Sequence, residues 1–181
     1  MKSKQIPHLT EPFIFIQRYL SRGIHVLSAG ATEQQIRKVE KDMGLSFPPA
    51  FRQWVALTNG AELFNGAIQF WPLSILKEQN ERMRGGWYGN NHLFFATSGR
   101  DELFIKRRKA PGADWYFFDL QDNNANNAPV HYFYLTPTEI GIACSSFLDW
   151  LKLLCEQRGL GVASMAQPIG AADAGTSSQR G

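Results

Sequence analysis

Residues 32–60, TEQQIRKVEKDMGLSFPPAFRQWVALTNG, carry the start and stop signals of two consecutive helices, and two such amphipathic helices need a partner surface to bury their apolar stripes. Thr32 is placed as an N-cap, and Gln35 three residues on completes a capping box. Ile36, Val39 and Met43 recur at helical spacing, while Gln34, Arg37, Lys38 and Lys41 fall on the other side. Gly44 then supplies a residue able to adopt a left-handed backbone and stop the helix. Pro48 and Pro49 stand where the next helix begins, since proline's fixed φ suits a first turn and its missing N–H costs nothing there. Phe51, Trp54, Val55 and Thr58 form the second stripe, and Asn59-Gly60 closes it.

Before this pair, Thr10-Glu11-Pro12 opens a first helix with Phe13, Ile16 and Leu20 on one face and Gly23 at its end. The consecutive run Phe13, Ile14, Phe15, Ile16 suggests burial on more than one side. Residues 24–27 read as an extended connector and residues 59–66 as a turn-rich loop. Residues 67–70 read as a strand ended by Trp71-Pro72, and residues 74–83 as a short helix with Leu76 and Gln79-Asn80 on different faces.

From His92 the pattern changes. Residues 92–97, 102–107, 115–119 and 130–134 are short aromatic or β-branched runs divided by turn signals such as Ala110-Pro111-Gly112-Ala113. Connections this short cannot carry a crossover helix, so the strands pair antiparallel as a meander. Ser145 or Ser146 caps a last helix carrying Phe147, Leu151 and Leu154. The fold expected is α+β: a mostly antiparallel sheet flanked by N-terminal helices and a C-terminal helix. Residues 159–181 are rich in Gly, Ala, Ser and Gln, too poor in bulk to offset their ordering entropy, and are expected to be a flexible tail. Residues 1–158 then form a single domain, for which 181 residues in all give enough chain for one core and little for a second.

The order of signals resembles the SUKH superfamily, the domain shared by fungal cell-wall assembly regulators and many bacterial immunity proteins. The resemblance is carried by Glu40 in KVEKDMG, Gly44 and Leu45, Pro48-Pro49 ahead of Phe51, and the Asn59-Gly60 ending. A strand-like AIQFWPL after a short gap and a closing IACSSFLDWLKLL helix, similar to the family's last element, support it. It covers residues 31–156. In that reading Glu40, Gly44, Pro48, Pro49, Phe51, Asn59 and Gly60 are structural, and Glu40 is expected to hold backbone N–H groups around residues 45–48.

Catalytic and metal grammar is missing from the sequence. His8, His25, His92 and His131 show no metal-ligand spacing, and Cys144 and Cys155 form no C-x-x-C. There is no G-x-S-x-G, Walker-type loop or G-x-G-x-x-G. Asp101 and Glu102 are adjacent, so on a strand they point to opposite faces. No cofactor is called for. The chain has no apolar run of about 20 residues and no signal-type start, so no membrane association and a reducing cytoplasm are expected. A net charge of +3 permits an acidic partner without calling for nucleic acid.

Three surface features are candidates for binding. Lys106, Arg107, Arg108 and Lys109 occupy the tip of a hairpin, as charges that discourage edge pairing or as a contact for an acidic partner. Arg82 and Arg84 lead into a glycine-rich loop carrying Trp87 and Tyr88, residue types common at binding hot spots or able to fold back on the core as a lid. Trp115 to Phe118 with Tyr132 to Tyr134 place half their rings in the core, leaving the other half for cross-strand pairs or an exposed aromatic face.

What the resemblance implies is a non-enzymatic protein-binding domain. Bacterial members commonly neutralise a cognate toxin domain, often a nuclease or nucleic-acid deaminase, by direct contact, while the fungal branch points to an intracellular regulatory scaffold. The alternative from the residues alone is a nucleic-acid or small-ligand module. It would use Arg82, Arg84 and the 106–109 cluster on phosphates, with nearby rings to stack bases.

Overall fold

The computed structural model describes residues 9–20, 25–84, 91–98, 114–121, 128–134, 140–158 and 167–168. Among them, helices α2 (Glu33–Met43) and α3 (Pro49–Leu57) form the expected pair. The capping box is present: the Gln35 N–H donates to Thr32 Oγ1 at 3.3 Å, and the Thr32 N–H donates to Gln35 Oε1 at 2.8 Å. Gly44 ends α2 at φ 67°, and the Leu45 N–H closes onto Glu40 O at 3.1 Å. Pro49 opens α3 at its first turn. Phe51, Trp54, Val55 and Thr58 are all buried.

The N-terminal helix starts later than expected. Thr10 to Phe13 form a turn, closed by the Phe13 N–H on Thr10 O at 2.8 Å. A 3-10 turn (Ile14–Ile16) then runs into α1 (Gln17–Leu20). Phe13, Ile16 and Leu20 are buried, but Ile14 is 47% exposed, so the apolar run is covered mainly on one side. Gly23 lies outside the described residues.

Among the described residues, eight strands follow sequence order through one sheet, each antiparallel to the next. They are β1 (Val26–Leu27), β2 (Ala61–Leu63), β3 (Ile68–Phe70), β4 (His92–Ser98), β5 (Asp114–Asp119), β6 (Val130–Tyr134), β7 (Ile140–Cys144) and β8 (Gln167–Pro168). Helix α4 (Leu73–Arg84) lies between β3 and β4 in sequence, and α5 (Phe147–Glu156) between β7 and β8. The α+β architecture with a meander sheet is therefore as expected. The connector at 24–27 and the loop at 59–66 contribute short strands instead, joined by Val26 opposite Glu62 and Leu27 opposite Ala61. Residues 102–107 lie outside the described residues, and β4 pairs with β5. Within the expected tail, Gln167 and Pro168 pair with Ile142 and Gly141, because a strand edge offers backbone hydrogen bonds that ask little of side-chain bulk.

The core is an aromatic cluster between the helices and one face of the sheet. The Phe51 ring lies 5.2 Å from Phe95, 5.5 Å from Phe118 and 5.7 Å from Phe147. Trp150 on α5 packs 4.9 Å from Tyr116 and 5.5 Å from Phe95. Offset and edge-on pairs of this kind add about 0.5–1.5 kcal/mol each to the area they bury. Trp115, Tyr116, Phe117 and Phe118 are all buried. Both faces of β5 are therefore covered, so these residues leave no exposed half on it. A register shift between Phe94 and Ala96 inserts Phe95 as a bulge. Phe95 thereby stacks on Phe118 at 4.5 Å, while Phe94 packs at a tilt against Phe117 at 4.8 Å.

Candidate functional site

The motif that marks the sequence is built on α2, α3 and the turn after α3. Glu40 Oε1 accepts the Phe47 N–H at 2.9 Å, so its carboxylate bridges from α2 to the loop before α3. The Arg52 Nε lies 3.4 Å from the same oxygen, and the Arg52 guanidinium makes a two-pronged contact with Glu33, at 2.7 and 2.6 Å. Arg37 adds a third bond, its Nε donating to Glu33 Oε1 at 2.6 Å. Hydrogen bonds from Arg52 and then Arg37 hold the Glu33 carboxyl down at about 2. Glu33 is half-exposed, so water and salt screen much of this attraction.

At the other end of α3 the motif residues join three segments. Thr58 Oγ1 lies 3.0 Å from Ser28 O and 2.9 Å from Gly60 O, within donating reach of both. Asn59 Oδ1 accepts the Leu73 N–H at 2.7 Å, satisfying an orphan donor at the start of α4. The Ala31 N–H donates to Val55 O at 2.9 Å, which caps a carbonyl at the end of α3. This approach requires Gly30, since a Cβ there would stand 1.9 Å from Ala56 O. Gly60, at φ 95°, and its neighbours Pro72 and Trp71 border a shallow depression of about 230 Å³. Val26, which is 37% exposed, also lines it.

Burial raises the Cys144 thiol, and burial inside α5 pushes Cys155 up to about 12, leaving it an inert apolar filler. His25 Nδ1 accepts the Phe64 N–H at 3.0 Å, which puts the ring proton on Nε2, and burial lowers its basicity. His92 Nε2 lies 3.8 Å from Asp119 Oδ2. Among the described residues no three His, Cys, Asp or Glu side chains come together as a metal site. No helix among them is long and apolar enough to cross a membrane.

Of the expected partner-binding residues, Arg82 stands exposed on α4 and pairs with Glu78 one turn earlier. Arg84 ends α4. Trp87, Tyr88, Lys106, Arg107, Arg108 and Lys109 lie outside the described residues. Asn80 carries a role that helical spacing alone could have suggested. It lies four residues after Leu76 and on the same buried face, not a different one. Its Oδ1 accepts the Phe94 N–H, and its Nδ2 donates to Phe94 O and Leu76 O, each at 2.8 Å.

The model of the SMI1/KNR4 family (SUKH-1) matches residues 30–153, more than half of the chain. No curated protein matches it.

Proposed function

From the premise that this chain belongs to the SMI1/KNR4 family (SUKH-1), we propose that it is a non-enzymatic protein-binding domain, a bacterial immunity protein that neutralises a cognate toxin by direct contact in the cytoplasm. The observation that carries this reading is how the motif's polar atoms are used. Glu40 is spent on the Phe47 N–H, Thr58 on backbone carbonyls and Asn59 on the Leu73 N–H. A group locked to backbone in this way sets the shape of the domain and is not poised to move protons on a substrate. The two thiols are held in their protonated form, far from the low values of nucleophilic cysteines.

The charge balance narrows the partner. An inhibitor that imitates nucleic acid to block a cationic nuclease should be acidic, and this chain carries a net +3. Either the partner is a toxin of another class or it is blocked without charge mimicry, and in both cases acidic groups at the contact suit this chain. Co-expression with a toxin domain, should one be encoded beside this gene, tests the reading. Growth should be restored, and the two purified chains should elute together at a fixed ratio. Unrelieved toxicity with no complex would sink it, as would turnover by the isolated domain.

A further inference from the structure

A cleft of about 320 Å³ is lined by Arg18, Tyr19, Phe64, Glu156 and Arg158. Three separate segments meet there: α1, the turn between β2 and β3, and the end of α5 with the residues just after it. Two lining residues hold backbone conformations that side chains other than glycine rarely adopt. Phe64 has φ 55° and Arg158 has φ 52°. A turn or a helix end at such a position ordinarily takes glycine or asparagine. Here the same positions carry a ring and a guanidinium, both presented to one cleft. Unfavourable conformations of this kind persist where the surroundings hold them and cluster at ligand sites.

The surroundings do hold them. The Phe64 N–H donates to His25 Nδ1 at 3.0 Å, and the two rings meet edge-on at 4.9 Å. The Arg158 N–H donates to Cys155 O at 3.1 Å. On the facing wall the Arg18 guanidinium lies 4.7 Å from the centre of the Tyr19 ring and donates to its hydroxyl at 2.7 Å. A guanidinium fixed in that way loses little freedom on meeting an anion.

We propose that this cleft seats one acidic side chain of the protein partner, with the apolar residue beside it packing on Phe64 and Tyr19. The proposal rests on the protein-binding reading above. Among the described lining residues two arginines stand against one glutamate, a positive balance suited to a single carboxylate. Glu156 argues against a phosphate chain, since a run of anionic groups would bring further charge against its carboxylate. A volume near the lower limit of ligand clefts agrees with one charged group and one neighbour.

Panning random peptides on phage against the full chain tests this without knowing the partner. Expected winners carry Asp or Glu next to an aromatic or aliphatic residue. As synthetic capped peptides, they should lose at least about tenfold in affinity when that acid becomes Asn, and as much on Arg158→Ala or Arg18→Ala. Arg158→Glu should prefer the same peptide with Lys in place of the acid, a reversal that a merely misfolded variant cannot give. Failure to enrich any peptide overturns the proposal, as do winners without an acidic residue or winners indifferent to both arginines. A single-stranded oligonucleotide that displaces the acidic peptide more strongly than the free peptide does overturns it in favour of phosphate. The toxin co-expression assay separates the two readings. If the Arg18→Ala/Arg158→Ala double variant protects as well as the wild type, the immunity role stands and the cleft falls. If the peptides bind through the arginines and no toxin is neutralised, the cleft stands alone.

Discussion

Asn80 completes the hydrogen-bonding edge of β4 at Phe94: one amide side chain takes the Phe94 N–H and gives a hydrogen to its carbonyl, at 2.8 Å each. Strand β3 pairs with β4 only from Ala96 onward, so the Phe94 groups on that side lie past the last β3 residue. An asparagine on α4 stands in for a strand residue, and it ties the helix to the sheet. Buried backbone groups left unpaired are costly, which explains a polar side chain only 1% exposed.

Replacing it follows directly. Asn80→Leu keeps the branched shape and removes all three bonds, taking the amide away from the Phe94 N–H and carbonyl. The expected loss is about 3 kcal/mol. In a chain of this size that lowers Tm by roughly 6–12 °C, measured by thermal unfolding. A change within a degree would mean that water or a neighbouring group replaces the amide.

Acid should act through Glu33. Its carboxyl is held at about 2 in the folded chain against an ordinary 4.5, a depressed value. The folded state therefore gains stability above the ordinary value and loses it as pH falls from about 4.5 towards 2. Denaturant titrations of wild type and Glu33→Gln should differ at pH 6 and converge near pH 2. The gap at pH 6 should shrink in molar salt, because the pair is half-exposed. A difference that grows as pH falls would contradict the assignment.

Two glycines should respond unequally to alanine. Gly44→Ala meets open space and costs about 1 kcal/mol, for the left-handed backbone alone. Gly30→Ala drives a Cβ into the Ala56 carbonyl, and about 3 kcal/mol is expected. Chemical denaturation of the two variants side by side reads the order, and equal losses would mean that the loop at residues 28–31 yields freely.

Thiol labelling at pH 8 separates the cysteines. Cys155, fully buried and pushed up to about 12, should stay unlabelled by a disulfide reagent until denaturant is added. Cys144 is partly exposed and should react first, though slowly, because burial raises it too. Rapid reaction of both in the native chain would show that α5 opens readily.

The helix pair was legible because its information is local. Thr32, Gln35, Gly44 and Pro49 each act on backbone within a turn of themselves, so their spacing along the chain is already their geometry. The short strands β1 and β2 were not legible. Two or three residues show no usable alternation, and what makes Val26 and Ala61 strand residues is each other's segment across the sheet. Strand β7 escaped for the same reason: IGIAC has no period of its own and is defined by β6 beside it.

Of the candidate site, residue types could be read but not company. Nothing near Arg18 in sequence announces Arg158 or Phe64, yet the three line one cleft. Caps, turns and the order of helices and strands came from the amino-acid sequence by itself, since they depend on interactions over a few residues. Which side chains meet across the fold was decided by packing alone. It brings residues some 140 positions apart to the lining of one cleft and depends on every element being in place at once.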